Sequence, residues 1–223
     1  MIFVGGDSFN FANSSSSSSS QQGSNLLLDL MKHPILESVS QSFKSIQERK
    51  VSSREYGSEG LTKSKYVYIF QREYATVHPG LVDFVGTDEA TTCVGLVIRN
   101  QLTGMTSVAH LDSPKVVDFG LTQMLSLIVD DTSDADLDVH LIGGFEDIAS
   151  KHAHSTTGSE RISKPDGYSF PLCTKIIESL QKRPENFHIK TLFVLGHNTK
   201  WDSQGNAYPI FHGFMSLKPW THS

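Results

Sequence analysis

Apolar and polar positions alternate in blocks along this chain, and the blocks predict its elements. Met1 to Val4 followed by Gly5-Gly6 predicts a short strand and turn. Leu26-Leu27-Leu28-Asp29-Leu30-Met31, with Ser24 and Asn25 as cap residues, predicts a short helix that ends before Pro34, and residues 35–46 continue as a second amphipathic segment. Tyr66 to Phe70 is a β-rich run, and residues 81–85 give a second strand after Pro79-Gly80, leaving Tyr74 and His78 in the loop between. An apolar strand then runs from Val94 to Ile98, Asn100 to Thr103 can turn the chain, and a partner strand begins at Gly104. Ser113 and Pro114 open a helix in which Val117, Leu121, Met124, Leu125 and Ile128 share a face. Asp138 to Ile142 alternates and enters Gly143-Gly144, a pair that implies an unusual backbone conformation or a close approach. Pro171 opens a helix that keeps Cys173, Ile176, Ile177 and Leu180 on one apolar face, so Cys173 reads as packed. Residues 189–195 form a strongly apolar strand, residues 202–206 supply turn chemistry, and a further strand starts at Tyr208.

Hairpins mixed with a few helices argue for an α+β fold: a largely antiparallel, sandwich-like sheet with flanking helices. The 223 residues, 38% hydrophobic and 19% charged, suffice for one sizeable core with a tail. Ser14 to Ser20 is an uninterrupted serine run that cannot bury apolar surface and reads as a tether, and residues 47–65 are charged and serine-rich, without apolar periodicity. A formal charge of −5 gives no basic footprint for nucleic acid, and no stretch approaches a membrane span. With two cysteines and no secretory signal, both thiols are expected to be reduced and the protein intracellular. His152, His154 and Glu160 match no standard ligand spacing, so no metal is expected there, and His140, alone in a strand, reads as a satisfied structural histidine.

The candidate chemistry lies in the hairpin. If Arg99 faces Gly104 across a four-residue loop, Cys93 faces His110 on the same side of the sheet, close enough for an imidazole to take a thiol proton. Thr87, on the approach to Cys93, can hydrogen-bond the second imidazole nitrogen and hold the tautomer. Spacing alone leaves simple packing of a buried cysteine and histidine open as well, and a one-residue slip would separate the pair.

Gly86-Thr87-Asp88-Glu89-Ala90-Thr91-Thr92-Cys93, Val108-Ala109-His110-Leu111-Asp112 and Asp138-Val139-His140-Leu141-Ile142-Gly143-Gly144-Phe145 together resemble the protein N-terminal asparagine amidohydrolase family in its plant form. The resemblance covers about Gln21 to Gly213. It implies a cysteine deamidase-like core in residues 66–214, after an N-terminal segment (1–65), with a divergent short tail (215–223) that matches no motif of the family. The tail reads as a shortened ending, and the form is expected to be less stable and weakly active. The implied reaction is deamidation of an N-terminal asparagine to aspartate without a cofactor, feeding an N-degron pathway of ubiquitin-dependent degradation in the cytoplasm, and in the nucleus as a second location. Cys93, His110 and Thr87 take the catalytic roles. Asp112, and after it Asp88 and Glu89, are the candidates for holding the substrate's α-ammonium group, although the last two read equally as solvated loop charge. The order of Thr87, Cys93 and His110 also resembles the triad of bacterial glutamine deamidases, which leaves internal glutamines of a protein partner as an alternative substrate. A non-catalytic module that binds N-termini is the other alternative.

Overall fold

The computed structural model describes residues 1–9, 19–46, 65–129, 135–147, 167–211 and 213–217. In chain order these form β1 (Ile2–Val4), β2 (Asp7–Phe9), α1 (Ser19–Met31), α2 (Pro34–Lys44), β3 (Tyr66–Tyr68), β4 (Tyr74–Val77), β5 (Phe84–Thr87) and β6 (Val94–Asn100). They continue with β7 (Thr106–Leu111), α3 (Pro114–Ser126), β8 (Asp136–Gly143), α4 (Ser169–Gln181), β9 (Asn186–Phe193), β10 (Thr199–Trp201), β11 (Ala207–Pro209) and β12 (Phe214–Leu217).

The class is α+β, as the pattern predicts, and the main sheet is mixed. Its seven strands run β2-β1-β9-β8-β6-β7-β4. β8 and β9 pair in parallel, as do β1 and β9, while β6 pairs antiparallel with both β7 and β8. The parallel pair follows from α4, because a helix inserted between two strands returns the chain to the end where the first strand began. A second sheet, β12-β5-β3, carries its own parallel pair, β3 with β5.

Side-chain alternation divides the main sheet into two faces. Leu96 and Ile98, Ala109 and Leu111, and Val139 and Leu141 join Leu27, Leu121, Met124, Ile176 and Leu180 of the helices in one large core. The intervening Val97 and Val108 meet Ile69 and Val85 in a smaller one. The small sheet therefore lies over β6 and β7 on the side away from α3, which brings the end of β5 above β7. β1 and the first two helices share the large core: Ile2, Leu27 and Leu36 are fully buried within it.

Several predicted boundaries move. α1 starts at Ser19, so Ser24 and Asn25 sit inside the helix, and the second strand of the core begins at Phe84. Tyr74–Val77, read as loop, is the edge strand β4, held by β7. Its residues are only partly buried and lack an apolar run, so periodicity gave no strand signal. His152, His154 and Glu160 lie outside the described residues. Among the described residues, no helix is long and apolar enough to cross a membrane.

Candidate active site

The hairpin β6–β7 forms with a register different from the expected one. Arg99 pairs with Thr106 and Gly95 with His110, so the four-residue loop is Gln101 to Gly104. The cause is Asn100, whose side-chain Oδ1 accepts from the backbone N–H groups of Leu102 (2.9 Å) and Thr103 (3.0 Å) while its amide donates to Ile128. That arrangement holds Asn100 at the end of the strand, and Gly104, at φ +70°, belongs to the turn. Cys93 therefore does not face His110. It precedes Val94, the partner of Leu111, so the register carried one residue further sets Cys93 beside Asp112, with His110 diagonal to it. A displacement of two residues keeps the face unchanged, and diagonal neighbours stand roughly 7–8 Å apart between Cα atoms. Gly95, opposite His110, leaves that side of the imidazole free of a side chain.

Thr87 meets the imidazole from the small sheet. Its Oγ1 lies 2.7 Å from His110 Nδ1 and 2.7 Å from the Ile69 carbonyl oxygen. The carbonyl can only accept, so the single hydroxyl proton is donated to Ile69 and Thr87 accepts from Nδ1–H. Nε2 is left unprotonated, and it is the nitrogen that can act as a base. The sequence thus brings Thr87 and His110 together as expected.

The expected Asp112 lies next to Cys93 in the register and has partners that the sequence reading missed. Asp112 Oδ2 accepts from Arg72 Nε (2.5 Å) and from Gln71 Nε2 (3.0 Å). Its Oδ1 is buried and has no hydrogen-bond partner among the described residues. A buried acceptor in that state costs on the order of 1–3 kcal/mol, more for a charged group, which marks Oδ1 as a place for a donor from a ligand. Arg72 adopts φ +68°, and its N–H donates to the His110 carbonyl (3.0 Å). A non-glycine residue held there stores backbone strain of the kind found at functional sites.

Charge and burial set the protonation states. Burial, reinforced by the Asp112 carboxylate, pushes the Cys93 thiol up, against a hydrogen bond with the Thr92 side chain and the charge of Arg72. Burial pulls the His110 imidazole down, against Asp112, Asp88 and Glu89. The resting pair is therefore a neutral thiol and a neutral imidazole.

Asp88 and Glu89 are both exposed at the rim. The Asp88 carboxylate accepts from the Tyr68 hydroxyl, and Glu89 takes φ +56°, its carbonyl accepting from Thr91 N–H. The loop is fixed from beneath: a side chain on Gly143 (φ +108°) would put Cβ 2.7 Å from the Cys93 carbonyl oxygen and 3.0 Å from that of Ala90. Ser169 adds a tie, accepting from Phe145 N–H (3.2 Å) and donating to the Thr92 carbonyl (3.4 Å). Gly143→Ala is expected to cost about 2–4 kcal/mol through clash and strained φ; chemical denaturation monitored by fluorescence measures it.

His140 and Cys173 have structural settings. His140 shares a hydrogen bond with Thr191 Oγ1 (2.9 Å), and burial pulls its imidazole down to about 4. Cys173 is fully buried in α4, which pushes its thiol far up. No group of three or more His, Cys, Asp or Glu among the described residues is arranged to hold a metal.

Comparison with known proteins places this geometry in context. Residues 56–218 match the family model for protein N-terminal asparagine amidohydrolase, running past the Gly213 limit drawn from motifs alone. The chain is 62% identical to an Arabidopsis thaliana protein of that name over 216 residues, which are 96% of this chain and 61% of the relative. It is 28% identical to the Sus scrofa protein of the same name and 26% to the Homo sapiens one, each match covering 73% of this chain and 46% of the relative. The chain thus spans less than two thirds of the length of these relatives.

Proposed function

The chain belongs to the protein N-terminal asparagine amidohydrolase family, and from that premise we propose that it hydrolyses the side-chain amide of an N-terminal asparagine, with Cys93 as nucleophile on a cysteine deamidase-like core. The observation that carries the reading is the Thr87–His110 hydrogen bond, which leaves Nε2 as a base on the sheet face that the strand register gives to Cys93 as well. The Cys93 sulfur attacks the amide carbon as its proton passes to His110 Nε2, and backbone N–H groups near the nucleophile stabilise the oxyanion. The C–N bond then breaks, His110 returns the proton to the leaving ammonia, and a thioester is left on Cys93. Water, deprotonated by His110, hydrolyses the thioester to aspartate. No cofactor enters this sequence.

Asp112 holds the substrate's α-ammonium through Oδ1, while Arg72 and Gln71 fix the carboxylate through Oδ2. Asp88 and Glu89 add negative potential at the rim, which attracts the same group. The product carries an N-terminal aspartate and feeds an N-degron pathway of ubiquitin-dependent degradation, placing the protein in the cytoplasm or nucleus. Its partners are proteins and peptides that begin with asparagine.

Ammonia release from matched peptides beginning with Asn, Gln or acetylated Asn tests the reading. Turnover of the free Asn peptide alone supports it. Equal rates on the free and acetylated peptides would instead indicate a deamidase for internal side chains. Asp112→Asn is expected to raise KM more than it lowers kcat, since an ammonium contact made equally in ground and transition states contributes uniform binding; steady-state kinetics on the Asn peptide reads this directly.

A further inference from the structure

A row of aromatic side chains lies on the outer face of the small sheet, next to the site. Tyr66, Tyr68 and Phe70 alternate along β3 and its continuation, and they are 66%, 40% and 64% exposed. The residues between them, Val67 and Ile69, turn inward to the smaller core, so the aromatics share the outward face. The row adjoins the catalytic residues at one end. Ile69 accepts from Thr87, the Tyr68 hydroxyl donates to Asp88, and Phe70 is followed directly by Gln71 and Arg72. Tyr68 and Phe70 meet edge to face, with ring centroids 4.9 Å apart. Two further features bear on what lies over these rings. Exposed carboxylates, Asp88, Glu89 and Glu73, make the Phe70 end of the row acidic, where the charge of Arg72 is engaged by Asp112, while the exposed Lys65 stands at the Tyr66 end. The row, four residue steps from Tyr66 to Phe70, spans roughly 13 Å at a strand rise of about 3.3 Å per residue, the length of about four residues of extended peptide.

We propose that Tyr66, Tyr68 and Phe70 form the docking track for the substrate chain beyond its N-terminal asparagine, and that the track selects for Lys or Arg at the second to fourth positions. This rests on the deamidase reading of the site. Lys and Arg can lay their aliphatic stems over an aromatic ring and keep the cation near its face, and the acidic rim favours the same charge. An acidic residue at those positions would meet Asp88 and Glu89 and be disfavoured. Peptide selectivity thus follows from residues that take no part in bond making.

The test uses the full 223-residue chain and three peptides, Asn-Lys-Arg-Ala-Ala, Asn-Gly-Gly-Ala-Ala and Asn-Asp-Glu-Ala-Ala. Ammonia release is expected to give kcat/KM about tenfold higher for the basic than for the glycine peptide, carried by KM, and lowest for the acidic one. Phe70→Ser and Tyr66→Ser are expected to reduce the basic-to-glycine ratio to about twofold or less, and Phe70→Tyr to restore it. The ratio should persist at 0.5 M salt if ring contact contributes, whereas charge alone would be screened. A second arm measures binding of the same peptides to Cys93→Ala protein by fluorescence anisotropy, so the track is tested even if no peptide is turned over. Absence of turnover with selective binding would reject the deamidase reading and keep the track. Equal affinity and equal kcat/KM for the three peptides, or a ratio unaffected by Phe70→Ser and Tyr66→Ser, would overturn the proposal.

Discussion

Cys93→Ala is expected to lower ammonia release from an Asn-initiated peptide by about four orders of magnitude or more, because removing the atom that forms the acyl intermediate disables the whole catalytic unit. No second nucleophile can substitute. Cys173 is fully buried among the side chains of α4 and the main core, and its thiol is held far from ionisation. Cys173→Ala should therefore keep kcat/KM within about twofold and lose about 1 kcal/mol of stability, the cost of a small buried gap. The comparison separates the two thiols by chemistry. Alkylation gives the same separation: at pH 7 iodoacetamide should modify Cys93 slowly, since burial and Asp112 hold the thiol protonated, and faster as pH rises toward 9 and beyond. Amidase activity surviving in Cys93→Ala at more than about one per cent would reject the covalent mechanism.

The reason that Cys93, His110 and Thr87 could be grouped from the sequence lies in the strands. Side-chain direction in a strand repeats every two residues, so an error of two in register leaves the same residues on the same face. The pairing of Cys93 with His110 was wrong by that amount, and the register still gives the two residues the same face. The origin of the error was the side chain of Asn100, whose contacts to Leu102, Thr103 and Ile128 lengthen the strand. No alternation pattern contains that information.

Gln71 and Arg72 were illegible for a different reason. They reach Asp112 because β4 pairs with β7 and aligns the turn before it with the end of the hairpin, 40 residues further along the chain for Arg72. A polar triplet, Gln71-Arg72-Glu73, between two short β segments was the available signal, since binding residues concentrate on such connections. The Gly143-Gly144 pair was legible as an exception without its partner, and the structure supplies that partner in the carbonyl groups of Cys93 and Ala90. The mixed sheet was likewise written in the order strand, helix, strand of β8, α4 and β9, which favours parallel pairing over the hairpins inferred elsewhere.

His110→Ala is expected to lower kcat/KM by about 10³-fold or more and to leave the protein folded, and the pH profile of the unsubstituted protein should identify the same residue. The fold should persist because the backbone N–H and carbonyl of His110 keep their bonds to Glu73 and Arg72, and Thr87 keeps its donation to Ile69. In the unsubstituted protein, Nε2 accepts a proton only while the imidazole is neutral, so kcat/KM falls as pH drops through the His110 pKa. Burial sets that pKa below the ordinary 6.5, so the acid limb should lie below pH 6.5. Asp112 opposes the effect of burial. Asp112→Asn should therefore move the acid limb to still lower pH, whereas a limb set by substrate carboxylates would not move. Stability carries the same signature. Between the depressed folded pKa and 6.5 the unfolded chain binds more protons at His110 than the folded one, so stability falls as pH drops through 6.5 and the loss is complete below the folded pKa. Thermal midpoints of the unsubstituted and His110→Ala proteins should thus converge as pH falls from 7.5 to 4.5. Parallel midpoints across that range, or an acid limb at or above pH 6.5, would show that His110 is not the buried neutral base of the site.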